Sequence, residues 1–266
     1  DKCNEDVSGI KFNSSDFTFS PTALIEYSEC PKKFELSKIY QMPQRGDFES
    51  DGGGASLGSF IHKVLELGVD QKTDKLEGYI ELAKKLVKDN EWESININDA
   101  IPLIEIFWER NKNKINENSK TELKLPVEIE GFRFFGLADR VDTLDDGTVE
   151  IVDYKTNKDA IPPKKRALQL GFYALALQSK GFKVSKLTLD MLKLDKPIEM
   201  KIEGDEVIAV LGCNKSANFK LSELKAEIVE LTKSIKNDYE HSFDCTDDEN
   251  SCRFCGYKFY CPKWDE

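Results

Sequence analysis

Between Gly136 and Thr156 the chain reads Gly-Leu-Ala-Asp-Arg-Val-Asp-Thr-Leu-Asp-Asp-Gly-Thr-Val-Glu-Ile-Val-Asp-Tyr-Lys-Thr, a segment that gathers carboxylates and a lysine at the spacing of strands. Leu137, Asp139, Val141 and Thr143 alternate with small or polar neighbours. Asp145-Asp146-Gly147 then supplies turn chemistry, and Val149, Ile151, Asp153 and Lys155 alternate again. A three-residue loop at 145 to 147 pairs Leu144 with Thr148, sets Val141 against Ile151 and opposes Asp139 to Asp153. Their Cβ atoms would then lie about 4.5 to 5.5 Å apart, with Lys155 further along the same face. A two-residue Asp-Gly loop shifts the register by one and sends the two acids to opposite faces. The apolar pattern favours the first register, although it also opposes Asp142 to Glu150. Two converging carboxylates can hold a hard divalent cation, magnesium or manganese. A neighbouring ammonium can position a water and offset charge developing on a phosphate.

Helices are expected to wall this hairpin. Ser20-Pro21 reads as a cap and first helical residue, opening a helix with Leu24, Ile25 and Tyr27 inward. That helix runs to Cys30-Pro31, and a short helix with Phe34, Leu36 and Ile39 follows. From Ala55 a helix with Leu57, Phe60, Ile61, Val64, Leu65 and Leu67 on one face carries His62, with Gly58 a turn before it and Glu66 a turn after. Two further helical patterns, about 74 to 90 and 99 to 115, make 41 to 121 a mostly helical insertion. Strand character starts at Glu122 and continues through Val127-Ile129 and Phe132-Phe135 into the hairpin. After Pro162-Pro163, residues 164 to 179 read as one helix on which Gln169 and Tyr173, four apart, share a face. A strand from Val184 to Lys193, a polar hairpin from Ile198 to Val210 and a long helix from Leu221 to Tyr239 complete the order. The expected class is α/β: a mixed central sheet, with residues 122 to 202 supplying the catalytic sheet and helix. Residues 1 to 16 are read as a lead-in without a role, and 17 to 266 as one domain.

Composition narrows the function. At 266 residues the chain can bury a real core, and no apolar run of about 18 residues could span a bilayer. No secretory signal is visible, which points to the cytoplasm, and the missing initial methionine suggests a domain excised from something longer. The formal net charge of -11 argues against coating nucleic acid by charge alone. Lys155, Lys158, Lys164, Lys165 and Arg166 nevertheless cluster after the hairpin. No Gly-x4-Gly-Lys-Ser/Thr loop is present, hence no sign of an ATP motor.

Seven cysteines without a secretory signal favour metal binding over disulfides. Cys252, Cys255 and Cys261 fall within ten residues, and a fourth ligand would complete a tetrahedral zinc site or an iron-sulfur cluster. Cys30, also followed by proline, is the first choice, with Cys245 as local competitor. A bond to Cys30 would close a loop of more than two hundred residues, a staple across the domain. Spacing does not choose between zinc and iron-sulfur.

Taken in order, Ser20-Pro21-Thr22-Ala23-Leu24 into Cys30-Pro31, Gly58-x3-His62, Gly136-Leu-Ala-Asp139-Arg-Val-Asp142, Asp153-Tyr-Lys155-Thr156, Gln169-x3-Tyr173 and the terminal cysteines resemble the RecB-like branch of the PD-(D/E)XK nucleases in its iron-sulfur form. The resemblance runs from Phe17 to Pro262. It implies a restriction-endonuclease-like sheet and a divalent metal held by His62, Asp139, Asp153 and the Tyr154 carbonyl. Lys155 would orient the attacking water, and Gln169 and Tyr173 would position Lys155 or the DNA backbone. It also implies a 4Fe-4S cluster on Cys30, Cys252, Cys255 and Cys261, in preference to zinc, with Cys245 left out.

The activity so implied is a metal-dependent deoxyribonuclease, an exonuclease or end-processing enzyme acting on single-stranded DNA or DNA ends in repair or recombination. The opening residues look most like nuclease domains attached to helicases of the UvrD or AddAB type. The stand-alone CRISPR-associated spacer-processing nucleases share the core and the staple, but the insertion between Gln41 and Glu122 is long for them. Two other classes compete: a module of the same fold that only grips DNA or a helicase partner, and a zinc-stapled structural domain.

Overall fold

The computed structural model describes residues 17–44, 56–157, 162–213, 215–253 and 255–264. The lead-in at 1 to 16, Lys158 and most of the 41 to 54 loop therefore lie outside the described residues. The fold is mixed α/β, a sheet with parallel and antiparallel neighbours flanked by helices. The chain divides into two compact units, residues 1–49, 126–135 and 226–266 in the first and 50–125 and 136–225 in the second.

The second unit carries the hairpin. Strand β3 (Phe132–Thr143), whose residues from Gly136 onward belong to this unit, runs antiparallel to β4 (Val149–Lys155). Val141 faces Ile151, Asp142 faces Glu150 and Thr143 faces Val149, the register of the three-residue loop. Its turn is held by Leu144 N–H to Thr148 O at 2.8 Å and Gly147 N–H to Leu144 O at 2.9 Å. Gly147 takes φ +77, which only glycine adopts without strain. Asp146 fixes the exit, its carboxylate accepting from Thr148 N–H at 2.9 Å. Beyond β4 come β5 (Val184–Met191), parallel to it, then β6 (Ile198–Glu203), β7 (Glu206–Leu211) and the two-residue β8 (Phe219–Lys220), all antiparallel. Strand β2 (Lys120–Ile129) pairs with β3.

Alternation along β4 splits its side chains between two layers. Val152 and Tyr154 enter a core with helices α3 (Leu57–Asp70), α4 (Leu76–Leu86) and α5 (Ile97–Asn111), built on Phe60, Ile61, Val64, Tyr79, Ile104 and Phe107. Gly68 on α3 permits close packing, since a Cβ there would sit 2.0 Å from the Tyr79 ring. Asp153 looks the other way, toward the helical segment that follows Pro162. The sequence reads that segment as one helix. It is instead α6 (Pro163–Arg166), a π-turn over Ala167–Gly171 and α7 (Phe172–Ser179). Gly171 lies at the end of the π-turn, where a Cβ would meet Leu224 at 2.2 Å, so the missing side chain permits the close approach to Leu224.

In the first unit, β1 (Thr18–Phe19) pairs in parallel with Arg133 and Phe134 of β3. Helix α1 (Pro21–Glu29) opens on Ser20, whose hydroxyl accepts from Ala23 N–H at 3.1 Å. It buries Ala23, Leu24 and Tyr27, while Ile25 is only partly covered. Cys30 ends α1 and caps α2 (Pro31–Phe34), which runs into a π-turn over Glu35–Ile39. Tyr27, Phe34 and Phe243 pack edge-on or tilted, and Tyr27 donates to Asp238 of helix α8 (Leu221–Glu240) at 2.6 Å. A short helix α9 (Glu249–Arg253) carries Cys252, with Cys255 and Cys261 beyond it.

Candidate active site

The hairpin ladder is paired as far as Arg140 and Val152. One residue beyond, the Asp139 carboxylate accepts the Tyr154 N–H through Oδ2 at 2.7 Å, a side chain serving where a carbonyl would continue a ladder. The bond anchors the acid beside β4 and satisfies a backbone donor. Helix α3, capped by the Ser56 hydroxyl on Ser59 N–H at 3.2 Å, brings in His62. Its Nε2 lies 3.0 Å from the Tyr154 carbonyl, and its Nδ1 lies 3.4 Å from Asp139 Oδ1. Gly58, one turn earlier, lets the helix approach the end of β4, because a Cβ there would come within 3.0 Å of Thr156 Oγ1.

Asp153 is 2% exposed. Its Oδ1 accepts from Gln169 Nε2 at 2.9 Å, and Gln169 Nε2 also reaches Tyr173 Oη at 3.4 Å. Lys155 Nζ stands 2.7 Å from Oδ2, which accepts no hydrogen bond of good geometry. Burial above all, then the charge of Asp139, lifts the Asp153 carboxyl to about 6 in spite of Lys155. Burial depresses the His62 imidazole, but the hydrogen bond and charge of Asp139 outweigh it and leave its pKa raised. Tyr173 is pushed up by burial and then by Asp153, so it stays a neutral donor. Gly136 matters here because a Cβ would lie 2.8 Å from the rings of both Phe172 and Tyr173.

Among the described residues, one group has three potential metal-ligand atoms all within 4.8 Å of one another: His62, Glu122 and Asp139. Glu122 is absent from the residues the sequence singles out. It sits in β2 at φ +45, a left-handed backbone rare for a side chain like glutamate and common where function imposes strain. Burial, then the charges of Asp139 and Glu66, raises its pKa. Nothing in the local sequence separates Glu122 from an ordinary strand acid, because only the tertiary fold brings it to Asp139. Asp153 is outside that compact trio, its oxygens facing Lys155 and Gln169, and the Tyr154 carbonyl faces His62.

A divalent cation fits this donor set. One imidazole nitrogen and carboxylate oxygens suit manganese or magnesium. Among the acids and the imidazole, His62, Glu122 and Asp153 all have raised pKa values, as expected where carboxylates gather in a partly buried site.

The reverse side of the hairpin fixes its position. Arg140 is fully buried and donates to Asp142 at 2.9 Å, to Asn111 Oδ1 at 2.8 Å and to the Tyr154 hydroxyl. Asn111 in turn donates to Asp190 at 2.9 Å. The neighbours Asp139 and Arg140, and likewise Asp153 and Tyr154, thus serve the site and the core alternately.

In the first unit the structure brings the cysteines together. Cys252 and Cys261 are buried, and burial first, then the neighbouring thiols including Cys30, raises their pKa values. Cys255 N–H donates to the Cys252 carbonyl at 3.1 Å. Lys33 N–H donates to Cys30 Sγ at 3.4 Å. Cys245, which the resemblance leaves out, lies close too, its Sγ 3.6 Å from that of Cys261.

Residues 18–262 match the family model described as the PD-(D/E)XK nuclease superfamily. An uncharacterized protein of Rickettsia bellii is 27% identical over 168 residues, covering 56% of this chain. The match spans only 19% of that relative's length. Among solved structures, a candidate exonuclease from Eubacterium rectale aligns at 14% identity over 92% of this chain and 93% of its own, with a TM-score of 0.46. The crystal structure of SSO0001 aligns at 14% identity over 97% and 91%, with a TM-score of 0.41.

Proposed function

The chain belongs to the PD-(D/E)XK nuclease superfamily, and on that premise we propose that it is a divalent-metal-dependent deoxyribonuclease, an exonuclease or end-processing enzyme with single-stranded DNA as its preferred substrate. The observation that carries this reading is the convergence of His62, Glu122 and Asp139 beside the Asp153–Lys155 pair. His62, Glu122, Asp139 and, once freed from Lys155, Asp153 would hold the ion. The Tyr154 carbonyl would be a further oxygen ligand. When bound, manganese or magnesium supplies Lewis-acid polarisation of the phosphate and a more acidic water. Lys155, two residues along the strand from Asp153, holds the attacking water in line and offsets charge on the phosphate oxygens. Gln169 holds Asp153 in place through its amide N–H, and Tyr173, kept neutral, orients Gln169 or donates to the DNA backbone.

Incubation with end-labelled single-stranded DNA and manganese tests the assignment. Asp153→Ala and Lys155→Ala should each remove cleavage, and activity persisting in both variants would sink it. Glu122→Gln should weaken activity at limiting manganese more than at saturating manganese.

For the cysteines we infer a 4Fe-4S cluster on Cys30, Cys252, Cys255 and Cys261, acting as a staple between chain segments far apart in sequence, with zinc as the competing occupant. Anaerobically purified protein should carry iron, sulfide and a broad visible absorbance. A colourless preparation with stoichiometric zinc would overturn this. The length of the Rickettsia relative supports a nuclease domain within a larger protein, of which a helicase-nuclease is the reading we favour.

A further inference from the structure

A second feature of the same unit lies away from the metal-ligand trio. A pocket of about 180 Å³ opens between β2, the end of the β3–β4 hairpin and the C-terminal end of α7. Its apolar lining includes Val141, Leu125 and Leu177, with the ring of Phe182 at its edge, 44% exposed. Three exposed lysines border it, Lys120, Lys124 and Lys180. Among the described residues none of the three is paired with a carboxylate, whereas lysines such as Lys63, Lys112, Lys186 and Lys201 are. Three unpaired cations around one apolar hollow stand out in a chain of net charge -11. An anion with an apolar appendage is the complementary ligand.

Register connects the pocket to the site. Asp139, Val141 and Thr143 alternate onto one face of β3, as Asp153, Ile151 and Val149 do on β4. Gln169, in the π-turn, reaches Tyr173 Oη at 3.4 Å, and Leu177 follows Tyr173 one turn later on α7. Asp153 and Gln169 meet at one end of these stripes, and Val149 and Leu177 line the pocket at the other. Four strand residues span about 13 Å, and eight helical residues span about 12 Å. On β2 the candidate ligand Glu122 lies between Lys120 and Lys124, two residues from each.

We propose that this pocket is the seat of the substrate strand a few nucleotides from the bond that is cut. Lys120, Lys124 and Lys180 hold its phosphates, and one base lies on the apolar floor against Phe182. The assignment rests on the nuclease reading, and it makes the three lysines positioning residues for the strand rather than catalytic ones. It also sets a minimum substrate length, because a strand too short to reach from Asp153 to Leu177 gains nothing from the pocket.

The test compares the native protein with Lys120→Ala/Lys124→Ala/Lys180→Ala and with Lys84→Ala/Lys85→Ala/Lys88→Ala, which removes equal charge from exposed lysines of α4 and its end. Steady-state cleavage of a 20-nucleotide single strand with manganese should show KM raised roughly tenfold in the pocket variant only, with kcat unchanged. Affinity for a fluorescent 20-mer without divalent ion should depend less steeply on salt, by about 2 in the log–log slope for three lost phosphate contacts. Phe182→Ser should weaken that oligonucleotide roughly tenfold, as loss of one stacked base does, and leave inorganic polyphosphate binding unchanged. Unchanged melting temperatures show that the variants fold. Cleavage by the native protein with equal KM and salt slope in both triple variants overturns the pocket and leaves the nuclease reading intact. No cleavage by the native protein removes the nuclease reading, while the metal-free titration still tests the pocket separately.

Discussion

Asp153→Asn should make the metal-free protein more stable at pH 8. The carboxyl is buried beside Asp139, and its pKa is lifted from the ordinary 3.8 of an aspartate to about 6. A raised acid pKa means that the folded state binds the proton more tightly than the unfolded chain does. The stabilisation from Asp153 is therefore complete below 3.8 and is lost as pH rises through about 6. The gap of roughly 2 pH units corresponds to a ceiling of about 3 kcal/mol for the cost of ionising Asp153 in the fold. His62 slopes the same way, because its raised pKa contributes stability below its unfolded value that fades as pH rises through the folded one. Replacement by asparagine keeps the shape and removes the charge, at the loss of a Lys155 ion pair whose ammonium reaches water. Roughly 1 to 3 kcal/mol of net gain is expected. Urea unfolding in a chelator at pH 5 and pH 8 reads the effect. The native protein should lose stability between the two, the variant should lose less, and manganese at pH 8 should stabilise the native protein more than the variant, which keeps His62, Glu122 and Asp139 but lacks the Asp153 charge. A native protein with flat stability across this range, or a variant weaker at pH 8, would refute the electrostatic reasoning.

Three further outcomes follow from the packing. Arg140→Met strips a fully buried guanidinium from Asp142, Asn111 and Tyr154 and strands the Asp142 carboxylate, so urea unfolding should show a loss of about 3 to 5 kcal/mol. Gly136→Ala forces a methyl to 2.8 Å from the Phe172 and Tyr173 rings, and should cost about 1 to 3 kcal/mol together with a lower kcat as Tyr173 and Gln169 are displaced. Cys30→Ser should lower the melting temperature of anaerobically purified protein far more than Cys213→Ser, if Cys30 belongs to a metal-bound staple, and differential scanning calorimetry can compare the two.

The hairpin was readable because its information is local. Three turn residues and a period of two fix which acids face which side, and the observed pairs from Arg140–Val152 to Thr143–Val149 follow that count. The capped helix at Ser20-Pro21 and the apolar face around His62 were readable for the same reason. Glu122 was not, because its role depends on a left-handed backbone and on neighbours that the chain reaches only after folding. The π-turn at Ala167–Gly171 was also hidden. Its residues suit an ordinary helix, and no local pattern marks where the turn widens. Strand β1, two residues long, has no period to detect, and its existence depends on Arg133 and Phe134. Division into two units interleaved along the chain is likewise a property of contacts between segments far apart in sequence.

The hydrogen bond from Tyr154 N–H to Asp139 gives the protein an internal gauge. A backbone amide proton held by a carboxylate resonates according to the charge that carboxylate carries, so this amide registers whether Asp139 is bare, protonated or shared with a cation. In an isotope-labelled sample its resonance should move stepwise as manganese's diamagnetic counterpart magnesium is titrated in. Occupancy could thus be followed at a single peptide bond, without substrate and without turnover.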